Sequence, residues 1–299
     1  MLEPALLETL TGSIPAFEIR KPAFPKIPFV FCSPHSGRGY PVSFLESSRL
    51  SAADIRRSED LFVDILFDFA PAIGAPFQVA HFPRAFLDVN REPYELDPRM
   101  FAEALPPFVN TGSVRVAGGL GTIPRIVAER EDIYRNKLSV AEGMDRIERI
   151  YKPFHHSLET LIRQTRERFG IAVVVDCHSM PSTVRAMPGG RRPDFVVGDR
   201  FGTSAAGVIV SHAIGALSAL GYDVMRNKPY AGGYITERYG RPDAGVHVIQ
   251  IEVNRYLYAD ERKFEPSRNF MTLREDLLRF AVAFAAAVDG EFNQLAAAE

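Results

Sequence analysis

This chain of 299 residues has few cysteines, a net charge close to zero and no long apolar run. Its two cysteines, Cys32 and Cys177, have no CxxC spacing, and both lie within apolar runs. A cysteine in such a run behaves as a small hydrophobic residue. The cysteine pattern therefore predicts neither a disulfide framework nor a cysteine-based zinc site, and it favours a reduced, intracellular protein.

The charge balance and the hydropathy pattern exclude further classes of protein. A formal net charge of -2 gives no basic surface for nucleic acid or an anionic membrane. No apolar run approaches the ~18 residues that a membrane span needs. The N-terminus carries acidic residues early and no basic segment before an apolar core, so we expect no signal peptide. These observations predict a soluble, cytoplasmic protein that binds neither nucleic acid nor a membrane.

Apolar runs rich in β-branched and aromatic residues predict strands at 27–33, 77–82, 171–179 and 246–254, with shorter ones at 85–90 and 194–199. Apolar residues at helical spacing predict helices over 59–75, 140–170, 203–221 and 271–288. Within the second of these, Pro153 predicts a kink and Gly170 an end.

Strands that alternate with helices are typical of an α/β protein with a mixed, mostly parallel sheet flanked by helices. The sequence contains no internal repeat and no low-complexity linker, which favours a single domain over 1–299. The Pro- and Gly-rich stretch at 93–124 predicts a long excursion over the surface.

Ionisable residues stand at or near the ends of three predicted strands. His35 follows the first strand, Asp176 and His178 lie two apart in another, and Glu252 interrupts an apolar strand. Each has an ordinary structural explanation as a turn, a cap or an edge residue facing water. Together they favour a divalent cation, because buried ionisable groups are costly without partners.

Two imidazoles and one carboxylate suit catalytic zinc, which keeps a further position for water. The candidate carboxylate ligands are Glu59, Asp60, Asp176 and Glu252, and sequence spacing does not choose among them. Zinc would acidify its water and polarise a carbonyl, while a carboxylate outside the metal set takes the proton.

A second cluster consists of Arg84, Asp88, Asn90 and Arg91. An arginine fork binds carboxylates through two parallel hydrogen bonds. The structural alternative is an internal ion pair between Asp88 and at least one of the two arginines. Zinc combined with a carboxylate-binding arginine indicates hydrolysis of a small acidic amide.

Seven blocks of the sequence, in this order, resemble the N-formylglutamate amidohydrolase family. They are PHSGRGYP (34–41), SEDLFVD (58–64), PRAFLDVNREP (83–93), DCHSMP (176–181), RPDFVVGDRFGTS (192–204), NKPYAGGYITERYG (227–240) and HVIQIEVNR (247–255). The resemblance implies a fold like that of zinc carboxypeptidases and aspartoacylase-type deacylases. It also implies release of formate and L-glutamate from N-formyl-L-glutamate during histidine degradation.

The resemblance also implies residue roles. The metal ligands would be His35, Asp60 and His178, with Glu59 as second choice to Asp60. The general base would be Glu252. The substrate-binding residues would be Arg84, Asn90 and Arg91. His155 matches a family histidine to which the resemblance gives no role.

Two alternatives to this function remain open. The region 94–134 departs most from the family pattern, so the chain could be a deacylase or carboxypeptidase-like hydrolase of another N-acyl amino acid or short peptide. A non-catalytic module that binds an acidic ligand is the other alternative, which loss of the base or of a metal ligand would favour.

Overall fold

The fold contains eleven strands within the described residues, and five of them are fully buried. This computed structural model describes residues 4–127, 131–184 and 192–298, with side chains up to residue 291. The strands are β1 Leu6–Thr9, β2 Gly12–Pro15, β3 Phe17–Arg20, β4 Phe29–Ser33, β5 Phe77–Ala80, β6 Ala172–Met180, β7 Phe195–Gly198, β8 Val224–Arg226, β9 Val246–Asn254, β10 Ala259–Asp260 and β11 Glu265–Pro266. The fully buried strands are β4, β5, β6, β7 and β9.

The helices are mostly short, apart from three longer ones. They are α1 Val42–Ser47, α2 Ala52–Ile55, α3 Val63–Leu66, α4 Val114–Ala117, α5 Val140–Arg146, α6 Lys152–Phe169, α7 Gly207–Ala219, α8 Tyr234–Tyr239 and α9 Phe270–Ala298. Within the described ranges, no helix combines the length and the apolar character that crossing a bilayer requires.

The described residues group into two compact units. The first draws on Met1–Glu18, Pro34–Asp60 and Val79–Leu158, and the second on Ile19–Ser33, Leu61–Gln78 and Glu159–Glu299. The assignment of 1–299 to a single catalytic domain stays a prediction.

The main sheet has seven strands in the order β3-β5-β4-β6-β9-β7-β8. The pairs β4–β6, β6–β9 and β7–β8 are parallel, and β7–β9 is antiparallel. All nine residues of β6 and all nine of β9 are buried, as expected for parallel strands covered on both faces. The predicted α/β class with a mixed, mostly parallel sheet is confirmed.

Helix α9 covers part of this sheet through aromatic packing. The Phe284 ring meets the Phe29 ring of β4 edge to face, with 5.0 Å between the ring centroids. Phe280, one turn earlier, stacks on Phe284 at 5.7 Å. The helical spacing of apolar residues in the sequence thus corresponds to the buried stripe of α9.

Two predicted elements are wrong. Residues 85–90 form turns, because the Phe86 and Leu87 N–H groups donate to the Pro83 carbonyl at 2.9 and 3.3 Å instead of to a neighbouring strand. Of 59–75, only α3 is an α-helix. Phe62 precedes it with a φ of 56°, which is incompatible with a continuous helix.

The helix predicted over 140–170 is confirmed, although it is not uniform. A π-helical turn, Ile147–Tyr151, separates α5 from α6 and ends two residues before Pro153. Proline lacks an N–H donor and crowds the preceding turn, which a wider turn relieves. Gly170 follows α6 with a φ of 77°, as expected for a helix-ending glycine.

Candidate metal centre and active site

His35 lies two residues beyond β4, is 1% exposed, and is held by the carboxylate of Asp88. The His35 Nε2 atom lies 2.8 Å from Asp88 Oδ1. Burial alone would raise the pKa of Asp88, but Arg91, His35 and Arg84 together hold it well below its usual range. An ionised carboxylate only accepts hydrogen bonds. The proton of neutral His35 therefore lies on Nε2, and its lone pair is on Nδ1.

The Nδ1 atom of His35 faces Asp60, whose Oδ2 atom is 3.6 Å away. The backbone reinforces this approach, because the Asp60 N–H donates to the His35 carbonyl at 3.0 Å. The neighbouring Glu59 is occupied elsewhere: it accepts from the Tyr40 hydroxyl at 2.7 Å and from Arg56 Nε at 3.0 Å. Of the two adjacent acids, the geometry favours Asp60 as a candidate ligand.

His178 is positioned by a residue on its own strand. In β6, His178 Nε2 lies 2.9 Å from Oδ1 of Asp176, which is fully buried. Residues two apart in a strand share one face, which explains the contact. Asp176 is thus in close contact with His178, at a position from which a carboxylate can orient a metal-binding histidine.

One ligand atom from each of His35, Asp60 and His178 lies within 4.8 Å of the others, and all three residues are buried. Imidazole nitrogens with a carboxylate oxygen are a donor set that suits zinc and related divalent ions. The three residues therefore fit a metal ion, and this buried group could hold one.

Glu252 lies in β9 at the position paired with His178 in parallel register. Paired residues of neighbouring strands point to the same face of a sheet, so Glu252 stands beside the His178 position. It is 6% exposed, and its Oε1 accepts from Gln250 Nε2 at 2.6 Å.

The predicted substrate-binding residues surround Asp88. Arg84 Nε donates to Asp88 Oδ2 at 2.9 Å, Arg91 Nη2 lies 3.7 Å from the same oxygen, and the Asn90 N–H donates to Oδ1 at 2.9 Å. The internal ion pair considered as an alternative is thus present for both arginines. The sequence analysis did not identify Asp88 as the common centre, and the available signal was its position between the two arginines.

Arg91 is fixed by backbone carbonyls as well. Its Nε donates to the Leu120 carbonyl at 2.9 Å and its Nη1 to the Asn90 carbonyl at 2.8 Å. Burial lowers the pKa of Arg91 to about 10, against the opposing effect of Asp88. The guanidinium remains charged at neutral pH, and local negative charge does not fully offset its desolvation.

The π-helical turn and helix α6 after it hold the backbone of the same segment. His155 Nε2 lies 2.8 Å from the Val89 carbonyl oxygen, and the Tyr151 hydroxyl donates to the Arg91 carbonyl at 2.6 Å. The contact with Val89 gives His155 a structural role, because it holds the segment that carries Asn90 and Arg91.

The stretch 93–124 is only in part the surface excursion that its composition predicts, because Phe108 and Val114 are largely exposed while other residues are buried. Leu96 and Thr122 are fully buried, and the Asp88 N–H donates to the Thr122 carbonyl at 2.7 Å. At Gly121, a Cβ would lie 2.1 Å from the Glu95 carbonyl oxygen, so the close approach requires glycine. Buried polar contacts, rather than apolar periodicity, fold this stretch back onto the Arg91 segment.

Comparisons with known proteins show which sequences and which fold this chain resembles. The sequence model of the N-formylglutamate amidohydrolase family matches residues 27–259. A crystal structure of N-formylglutamate amidohydrolase from Ralstonia eutropha JMP134 is similar with a TM-score of 0.83 and 33% identity, over 90% of this chain and 97% of that chain.

Two relatives named N-formylglutamate deformylase are also similar. The protein from Pseudomonas putida is 29% identical over 84% of this chain and 87% of its own length. The protein from Pseudomonas aeruginosa is 26% identical over 79% of this chain and 84% of its own length.

The buried group predicts that metal binding depends on both histidines. We expect the purified protein to retain about one zinc ion after dialysis, and a His35→Ala, His178→Ala double variant to retain none, because removing two ligands leaves too few for a stable site. Elemental analysis measures the metal, and circular dichroism verifies the fold.

The matched control is His212→Ala, which removes a partly exposed histidine of α7 that faces Glu291. It should retain the metal. A double variant that still carries one zinc ion per chain would show that the metal lies elsewhere.

Proposed function

This chain belongs to the N-formylglutamate amidohydrolase family, and from that premise we propose that it hydrolyses N-formyl-L-glutamate to formate and L-glutamate. The observation that carries the chemistry is the buried group of His35, Asp60 and His178, with Glu252 paired to His178 in the sheet. The substrate is inferred from the relatives named N-formylglutamate deformylase.

We infer that the metal is zinc, because nitrogen and oxygen ligands in a small buried group suit it. When bound, zinc would polarise the formyl carbonyl and activate water for attack. His35, Asp60 and His178 would hold the ion, while Asp88 and Asp176 would fix the orientation of the two imidazoles.

Glu252 is our candidate for the proton-transfer group. It would accept a proton from the attacking water as the carbon–oxygen bond forms, then give that proton to the glutamate nitrogen as the carbon–nitrogen bond breaks. Formate and L-glutamate leave, so one water is consumed for each amide cleaved.

Arg91 is our candidate for binding a substrate carboxylate. It is a buried cation whose desolvation lowers its pKa to about 10 even beside Asp88. An incoming carboxylate would supply further negative charge, and the Leu120 and Asn90 carbonyls already fix the plane of the guanidinium. Arg84 and Asn90 would bind the substrate together with Arg91.

We also propose a cytoplasmic location and a role in histidine degradation. Both cysteines are buried and form no disulfide, which agrees with a reducing compartment such as the cytoplasm. The step in histidine degradation follows from the family resemblance.

The direct test of this function is formate release from N-formyl-L-glutamate by the zinc-loaded protein, alongside N-acetyl-L-glutamate, N-formyl-L-aspartate, N-formyl-L-leucine and a short peptide. We expect the highest kcat/KM for N-formyl-L-glutamate. A preference for another acyl group or peptide would identify a different deacylase or peptidase. Binding of an acidic ligand without turnover of any substrate would identify a non-catalytic module.

Truncating Arg91 should act on substrate binding. For Arg91→Ala we expect KM to rise about 10–100-fold with a smaller change in kcat, because a hydrogen-bonded charge contact made in both ground and transition state is lost. Steady-state kinetics measure both constants. Arg99→Ala is the control, since Arg99 is largely exposed and pairs with Asp97. An unchanged KM in Arg91→Ala would remove Arg91 from this role.

Replacing Glu252 should act on turnover. For Glu252→Gln we expect retained zinc and substrate affinity, with kcat lowered about 10²–10⁴-fold, because the amide does not accept the proton. Glu237→Gln, at a largely exposed glutamate of α8, should leave kcat unchanged. Loss of zinc in Glu252→Gln would make Glu252 a ligand, and near-normal turnover would leave it a structural acid.

A further inference from the structure

Strands β6 and β9 carry matching pairs of polar residues on one face of the sheet. Asp176 is paired with Gln250, and His178 with Glu252, in parallel register. Each strand therefore presents two polar side chains, spaced by two residues, beside those of its neighbour.

In both strands the earlier residue contacts the later one. Asp176 Oδ1 lies 2.9 Å from His178 Nε2, and Gln250 Nε2 donates to Glu252 Oε1 at 2.6 Å. Gln250 is 5% exposed, so this hydrogen bond is shielded from competing water. Gln250 thus stands before Glu252 as Asp176 stands before His178, and the contact between Gln250 and Glu252 is a hydrogen bond.

The orientation of the Gln250 amide is set by the backbone. The Gly233 N–H lies 2.9 Å from Gln250 Oε1. A backbone N–H only donates, so the amide oxygen must face Gly233. The amide NH₂ group is thereby turned toward Glu252, whose facing oxygen must accept.

The turn that supplies this N–H is itself held in place. The Thr236 hydroxyl donates to the Gly233 carbonyl at 2.6 Å. Gly232 has a φ of 121°, and a Cβ there would lie 2.5 Å from Thr236 Oγ1. A glycine turn, a glutamine and a glutamate thus form one continuous chain of buried hydrogen bonds.

We propose that Gln250 is a positioning residue that fixes the carboxylate plane of Glu252, with the Gly233 N–H setting the direction of the Gln250 amide. Holding Oε1 in one hydrogen bond restricts rotation of the carboxylate and so defines the position of Oε2. This inference rests on the proposed role of Glu252 as the proton-transfer group. General base catalysis needs such alignment, and a misplacement of 1 Å can cost about 100-fold in rate.

Two substitutions separate positioning from a purely structural role. Gln250→Leu removes both hydrogen bonds. Gln250→Glu keeps an acceptor for the Gly233 N–H but removes the amide donor to Glu252. The two neighbouring carboxylates would repel each other or share a proton, so Glu252 would be displaced or protonated and would not accept the proton from water. A residue needed only to satisfy Gly233 would therefore tolerate Gln250→Glu.

For both variants we expect kcat about 10–100-fold below wild type, KM within about threefold, and the wild-type zinc content. Steady-state kinetics and elemental analysis measure these quantities. Gln78→Leu, which removes another buried glutamine in β5, is the control and should leave kcat within about threefold. Near-normal kcat in Gln250→Glu, or loss of zinc from both variants, would overturn the proposal.

Crystal structures of the wild type and Gln250→Leu give a readout that does not depend on activity. We expect the Glu252 carboxylate to rotate or become disordered in the variant while His178 keeps its position. An unmoved Glu252 would contradict the inference. If wild-type protein releases no formate from N-formyl-L-glutamate, the proposed substrate fails, and this structural comparison still decides the role of Gln250.

Discussion

The Asp88 carboxylate is the interaction on which much of the candidate site depends. It accepts from His35 Nε2 and pairs with Arg84 and Arg91. A buried carboxylate is unfavourable in its ionised form unless cations and donors surround it, and here they hold its pKa well below the usual range. One charge thus sets the tautomer of a candidate metal ligand and aligns two candidate substrate-binding arginines.

The same dependence explains why the stretch around Asp88 is not a strand. The Asp88 N–H donates to the Thr122 carbonyl. The Val89 carbonyl accepts from His155, and the Arg91 carbonyl accepts from the Tyr151 hydroxyl. Buried backbone groups need hydrogen-bond partners, and side chains and loops provide them here in place of a sheet. The apolar run at 85–90 therefore consists of buried residues in turns and loops, which an apolar run alone cannot distinguish from a strand.

The sequence was most informative where burial and periodicity act together. The run 246–254 was predicted as a strand with the bounds that β9 has, because a short, β-branched run covered on both faces has few alternatives. It was least informative for edge strands such as β3 and β8, which are short and partly exposed. The predicted helix over 59–75 failed because the left-handed backbone of Phe62 depends on tertiary context.

In the candidate site, too, the sequence predicts some features and leaves others to the structure. Strand ends mark the two histidines His35 and His178, whereas only the family resemblance selects Asp60 among the candidate carboxylates. The structure brings the three residues together. The structure favours Asp60 over the adjacent Glu59 for a physical reason that the sequence does not show: Tyr40 and Arg56 hydrogen-bond to Glu59.

Parallel register offers a physical reason for the arrangement of β6 and β9. Each strand advances its side chains by about 6.6 Å every second residue on one face, so a functional residue and its support can lie within hydrogen-bond reach along one strand. Register then places the two pairs side by side, with His178 opposite Glu252 and Asp176 opposite Gln250. A slip of one residue would turn one pair to the other face. The backbone ladder that stabilises the sheet therefore also aligns the candidate base with a candidate metal ligand.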